Sequence, residues 1–169
     1  EELAAGADAP MALNGVAPRP LAPGAKTAPP ACIRAFAAAL LERTLRMPAA
    51  RGEWVQTGAT RLLELRLHED PAFAATVREG IEDLEKRVSL KRLCSGERVD
   101  PRYAWQAATL LEMLFTTSPW KDSVVELFGA FYEDNNTALG VQLPKVYASD
   151  WSSLTDDWIA FCESKYLEP

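Results

Sequence analysis

The chain has 169 residues, of which 48% are hydrophobic and 25% charged, which is typical of one soluble globular domain and not of a disordered chain. Its net charge is −6, and residues 103–169 carry 3 basic against 10 acidic side chains, which argues against nucleic acid as a partner because such a partner needs a basic face. The longest strongly apolar run, Ala35–Leu41, is far shorter than the roughly 18 residues of a membrane span.

Residues 1–30 are the first predicted unit, an extended arm rich in proline and alanine. The segment holds six prolines, at positions 10, 18, 20, 23, 29 and 30. Each proline fixes its own φ, lacks an amide donor and restricts the residue before it. The arm is therefore predicted to be extended or turn-like, and it is followed by a helical domain over residues 31–169.

Three helices are predicted in the first half of that domain, because apolar residues recur there at intervals of three and four. The first runs from Pro30 to about Met47, with proline at a tolerated first-turn position and Pro48 after its end. The second covers about residues 53–68, and the third about residues 71–94, with Gly96 as its C-terminal cap.

Three more helices are predicted in the second half. Asp100 and Ser118 each precede a proline, and both are expected to cap the helix that follows. The last helix spans about residues 150–166. The segment 140–148 is the one strand candidate, and Pro144 makes a strand there improbable.

The predicted fold is therefore all-α, a compact irregular bundle of about six helices. Its predicted core consists of the apolar residues on the inward helical stripes. They are Ile33, Phe36, Leu40, Val77, Ile81, Leu84, Leu110, Leu111, Leu114, Val124, Phe128, Phe131, Trp158 and Phe161.

No catalytic, metal or cofactor motif is visible in the sequence. The single histidine, His68, falls at the end of a predicted helix, where it interacts favourably with the helix dipole. Cys32, Cys94 and Cys162 are too far apart for a zinc motif and odd in number for a disulfide framework, so they are interpreted as small buried side chains. Glycine-rich phosphate loops are missing as well. We therefore expect that the chain is not an enzyme and that it needs no cofactor. The free thiols favour a reducing compartment, but the sequence does not determine the localisation.

The expected partners are other protein chains. Four of the five tryptophans lie in the acidic second half, where most are expected in the core and the remainder on a partner surface. The predicted partner-binding residues are Pro18, Pro20, Leu21 and Pro23 in the arm, with Trp120, Tyr147 and Trp151 in the helical domain.

Two functions fit these features. The first is a non-catalytic structural or peripheral subunit of a larger assembly, with the arm lying on a neighbouring chain. The second is a stand-alone protein-binding module, of effector or immunity type, that uses the acidic, aromatic-rich second half. In either case residues 17–30 are expected to contact a surface, of another chain or of the helical domain itself, through Leu21 and the prolines.

Overall fold

The fold is all-α, as predicted. A computed structural model describes residues 30–45, 49–68, 70–134 and 137–167, and these contain eight α-helices and no strand. The helices are α1 (Pro30–Leu45), α2 (Ala49–Leu67), α3 (Phe73–Glu82), α4 (Leu90–Leu93), α5 (Ala104–Thr116), α6 (Val124–Glu133), α7 (Leu139–Val146) and α8 (Trp151–Cys162). The arm, up to residue 29, lies outside the described residues.

Short helical turns connect several of these elements. Single 3-10 turns span Leu84–Lys86, Pro101–Tyr103 and Trp120–Ser123, and a π-helical turn, Glu163–Leu167, follows α8. The last of these is called the C-terminal turn below.

The centre of the bundle is α5. Nine of its residues, between Trp105 and Leu114, are buried, which is the pattern of a helix covered on every side. α2 packs along one side of it, and α3 and α8 pack on others. α2 comes close at Gly58, where a Cβ atom would lie 2.5 Å from the carbonyl oxygen of Ala107. A glycine at this point therefore sets the spacing of the two helices.

The predicted third helix is broken into three pieces. α3 ends at Glu82, because Asp83 is extended (φ −112°, ψ 109°) and its side chain accepts from the backbone N–H of Glu85. A 3-10 turn follows, and α4 begins only at Leu90, where Ser89 caps it. The prediction of one helix over residues 71–94 was wrong, since local capping at Asp83 and Ser89 outweighs the apolar periodicity.

The segment between α6 and α8 was predicted as a break and instead contains α7. Pro144 lies inside this helix, although an interior proline normally weakens a helix. Burial of Leu139 and Leu143 against the core supplies the stabilisation that local propensity does not. Together with the broken third helix, α7 accounts for eight helices in the described part instead of six.

Most of the predicted core residues are buried or half-buried, and three are exposed. Phe36 and Leu40 are exposed because α1 packs mainly on α2, so only a narrow stripe with Ile33 and Ala37 is covered. Leu84 is exposed because it falls in the 3-10 turn after α3 and not on the continuous helix that was predicted.

The capping prediction holds at Asp100 and fails at Ser118. The backbone N–H of Arg102 donates to Asp100 Oδ1 at 3.0 Å, with Pro101 at the first position of the turn. Ser118 instead donates its hydroxyl to Asp122 Oδ2 at 2.7 Å and caps no helix. The side chain of Asp150, in contrast, caps α8 through the N–H of Ser153 at 2.8 Å.

Asp100→Ala is expected to lower the free energy of unfolding by about 1 kcal/mol, the usual cost of losing an N-terminal cap. Asp100→Asn keeps the accepting oxygen and is expected to stay within a few tenths of a kcal/mol of the wild type. Urea denaturation measures both. Equal losses in the two variants would show that charge, and not capping, is what Asp100 contributes.

Candidate functional site

An open apolar groove is a prominent concave feature of the described residues. It lies between α2, α3, α5 and the C-terminal turn, and its volume is about 730 Å³. Its lining is dominated by large apolar side chains, which are Leu62, Leu63, Leu65, Phe73, Leu111, Phe115 and Tyr166. We call it the groove.

One wall of the groove is fixed by Arg61. Its guanidinium group is paired with the carboxylate of Asp70, and it also lies 3.4 Å from Glu64 Oε2. The same group sits over the ring of Phe73, 5.3 Å from its centre. These contacts hold the segment between α2 and α3 against α2, so Phe73 presents its ring to the groove at a fixed place.

The part of the groove formed by the C-terminal turn is fixed by Glu112 on α5. Lys165 donates to Glu112 Oε1 at 2.6 Å, and the hydroxyl of Tyr166 donates to Oε2 of the same carboxylate. The ring of Tyr166 packs edge-on against Phe73, with 5.6 Å between ring centres. The C-terminal turn is thereby tied to both α5 and α3.

The phenol of Tyr166 is a hydrogen-bond donor and not a base. Burial and the adjacent Glu112 carboxylate raise the pKa of Tyr166 well above its ordinary value, because both disfavour the phenolate. The polar groups at this end are thus engaged with one another. What the groove offers to a ligand is mainly apolar and aromatic surface.

No protein family, no characterised protein and no solved structure matches this chain. The function must therefore be inferred from its own geometry.

The predicted partner-binding residues are only partly brought together. Pro18, Pro20, Leu21 and Pro23 lie outside the described residues. Trp120 and Tyr147 are in contact, with 4.8 Å between ring centres, but Trp120 is only 6% exposed and presents little surface to a partner. Tyr147 and Trp151 are half-buried against the core. None of the three lines the groove.

Of the three cysteines predicted to be buried, Cys94 and Cys162 are buried and Cys32 is half-buried. Burial raises the pKa of Cys94 well above its ordinary value, and it raises that of Cys162 to about 12. A nucleophilic or metal-binding cysteine needs the thiolate, which both sites disfavour. Within the described ranges no group of three or more His, Cys, Asp or Glu side chains could hold a metal ion.

The described residues also bear on membrane insertion. None of their helices has both the length and the hydropathy that crossing a bilayer requires.

The groove was not predicted from the sequence, although a signal for it was present. Leucines at positions 62, 63, 65 and 67 point in several directions around α2, and an outer helix packed on one side needs only one apolar stripe. The surplus leucines on α2 face the groove or solvent.

Proposed function

We propose that the chain is a non-catalytic subunit of a larger protein assembly, and that it binds a polypeptide segment of a neighbouring chain in the groove. The observation that carries the proposal is the open, apolar groove between α2, α3 and α5. Its volume of about 730 Å³ is in the range of specific ligand sites, roughly 300–1,000 Å³. Its shape, bounded by helices and open to solvent, suits a helical or extended segment of protein.

The rim of the groove supports a protein partner. Phe115 on α5, which lines the groove, is 49% exposed. A large apolar side chain exposed beside an apolar concavity extends the apolar surface, and a continuous apolar surface is typical of a protein interface. A single exposed apolar residue elsewhere on the surface would need no such explanation. Phenylalanine is also among the residues enriched at interfaces.

The arm has its own part in the proposal. In the assembly, residues 1–30 lie on a neighbouring chain, with Pro18, Pro20, Leu21 and Pro23 making the contact. Proline-rich segments suit this role because their restricted backbone loses less conformational entropy on binding. The subunit would thus give one segment to its neighbour and receive another.

The alternative is a stand-alone binding module that uses the acidic second half. Its support is the charge of residues 103–169, with 3 basic and 10 acidic side chains, which would steer a basic partner. It ranks second because Trp120, one of its two predicted contact tryptophans, is only 6% exposed. Only the half-buried Tyr147 and Trp151 remain for that surface.

The test compares two substitutions of exposed apolar residues. Phe115→Asp puts a charge in the groove, and Val125→Asp puts one on α6, where Val125 is 79% exposed and does not line the groove. In native extracts of cells that make the protein, wild type and Val125→Asp are expected to migrate in an assembly well above 18.6 kDa. Phe115→Asp is expected to migrate as the free chain, because burying a charge in an apolar interface is costly.

Thermal melting of each purified variant controls for folding. A wild-type chain that migrates at its own mass would contradict the proposal, and so would identical behaviour of the two variants. Deleting residues 1–28 is expected to change the melting temperature by only a few degrees while weakening association, because the sequence of these residues predicts no helix that would add to the core.

A further inference from the structure

We propose that a polar pocket beside α2 binds a small zwitterion of the α-amino-acid class, with the ligand's ammonium group at Glu53 and its carboxylate at Arg98. The pocket lies between α2 and the segment from Arg98 to Ala104, and its volume is about 340 Å³. We call it the polar pocket. Of the described residues, none lines both this pocket and the groove, so the two sites can bind their ligands independently.

One wall of the polar pocket is a polar face of α2. The lining residues of this face recur at intervals of three and four, at positions 53, 57, 60 and 64, which places them on one side of the helix. The other wall is the segment that leads into α5. In that segment Val99 is buried, and Asp100 caps the turn that follows. Both contacts fix the segment in place beside the polar face of α2.

Two of the four charged side chains that line the polar pocket are paired with each other. These are Arg61 and Glu64, with 3.4 Å between Nη1 and Oε2. The other two, Glu53 and Arg98, form no ion pair with each other or with any other residue that the structure describes. The polar pocket therefore presents one carboxylate and one guanidinium group to a ligand.

Glu53 is the half-buried member of this pair. Burial raises the pKa of Glu53 above its ordinary value, and the nearby positive charge of Arg98 opposes part of that rise. A carboxylate that loses water without gaining a partner is costly to the fold. A ligand cation beside Glu53 would supply the missing partner.

The two charges define the class of ligand. A carboxylate binds an ammonium group, and a guanidinium group binds a carboxylate through two parallel hydrogen bonds. An α-amino acid carries both groups on one carbon atom, so it can satisfy Glu53 and Arg98 together, whereas a simple amine or a simple acid satisfies only one of them. The volume of the pocket also suits a small molecule, because specific ligand sites occupy roughly 300–1,000 Å³.

The uncharged lining residues favour a polar side chain on the ligand. Gln56, Thr57 and Thr60 line the pocket, and their side chains make no hydrogen bond within the described part of the chain. The hydroxyls of Thr76 and Thr116, in contrast, donate to carbonyls of their own helices. The amide and the two hydroxyls in the pocket are thus available to a ligand such as serine, threonine, asparagine or glutamine.

The first test is an NMR titration of the purified, ¹⁵N-labelled full chain with each of these four L-amino acids. At least one is expected to shift the amide signals of residues 53–64 and 98–104 and to leave those of α6 unchanged. The best binder is then compared with its two analogues that lack the α-amino or the α-carboxyl group. Each analogue is expected to bind about tenfold more weakly, because it loses one charged hydrogen-bonded pair.

Two variants assign each charge of the ligand to a residue. Glu53→Gln is expected to bind the amino acid and the analogue without the α-amino group equally well, because it no longer distinguishes the ammonium group. Arg98→Gln is expected to lose the discrimination against the analogue without the α-carboxyl group in the same way. Glu82→Gln and Arg78→Gln are the matched controls and are expected to bind like the wild type, since both residues are exposed on α3 and do not line the polar pocket.

The inference is overturned if none of the four amino acids shifts the spectrum at tens of millimolar, or if the shifts map outside residues 53–64 and 98–104. Equal binding of the amino acid and its analogues by the wild type would also overturn it, and so would a Glu53→Gln variant that kept its discrimination. These titrations use one purified chain without a partner and report on residues outside the groove. They can therefore fail while the groove still binds a neighbouring chain.

Discussion

Gly140→Ala is expected to lower the free energy of unfolding by about 3 kcal/mol, the size of effect seen when a tightly packed site is overfilled. Gly140 is the second residue of α7, where alanine would ordinarily be favoured over glycine. At this position, however, a Cβ atom would lie 1.9 Å from the carbonyl oxygen of Cys94 and 2.5 Å from its Cβ. Backbone at the end of α4 cannot move aside cheaply, so α7 would have to shift away from the core.

Gly129→Ala is the matched control for this effect. Gly129 lies within α6, and a Cβ atom there would meet nothing within 4 Å apart from its chain neighbours and the backbone of its own helix. This variant is therefore expected to gain up to about 1 kcal/mol of stability from helix propensity. Urea denaturation of both variants gives the comparison, and a Gly140→Ala protein as stable as the wild type would mean that α7 does not pack against Cys94.

The helices that could be predicted are those whose position is determined by their own local sequence. α1, α2, α5 and α8 carry apolar residues at helical spacing, a pattern that depends only on nearby sequence. Asp100 and Asp150 cap the elements that follow them. The all-α class follows from the same periodicity, since no comparable alternation of apolar and polar residues exists.

The elements that were not predicted depend on contacts between distant residues. α7 contains Pro144 and is stabilised by burial, and the break after α3 places residues 87–89 where α5 can bind them. The exposure of Phe36 depends on α1 lying at the edge of the bundle. No local sequence pattern predicts these features, because each depends on which surfaces are buried once the whole chain has folded.

The groove, too, could not be predicted from local sequence patterns. Its walls come from residues as far apart as Leu62 and Tyr166, and the pair formed by Glu112 and Tyr166 spans more than fifty positions. Sequence could show that α2 carries more leucines than one buried stripe needs. It could not show which helices would leave those leucines uncovered.

The buried Gln106 provides the second large expected effect. It lies in α5 and is fully buried, and its side chain makes two hydrogen bonds to one residue of the extended segment before α4. The N–H of Val88 donates to Gln106 Oε1 at 3.1 Å, and Gln106 Nε2 donates to the carbonyl of Val88 at 2.7 Å. This pair joins the interrupted part of the third predicted helix to the central helix.

Gln106→Leu is expected to cost about 3 kcal/mol, because it leaves both backbone groups of Val88 without their partner at a cost of about 1–3 kcal/mol each. Urea denaturation measures the loss, and faster amide hydrogen exchange at Val88 would locate it. An unchanged stability would show that water satisfies Val88 equally well.

Gln106→Glu separates hydrogen bonding from packing. Ionised glutamate can accept from the Val88 N–H but cannot donate to its carbonyl, and burial disfavours the charged form, so the pKa of this carboxyl group should be higher in the folded than in the unfolded chain. The folded state then binds more protons, and stability relative to wild type should increase as the pH falls through that folded pKa. Gln106→Leu should show no such recovery. If the two variants differed from wild type by the same amount at every pH, the two hydrogen bonds to Val88 would not be the reason that a glutamine occupies the centre of α5.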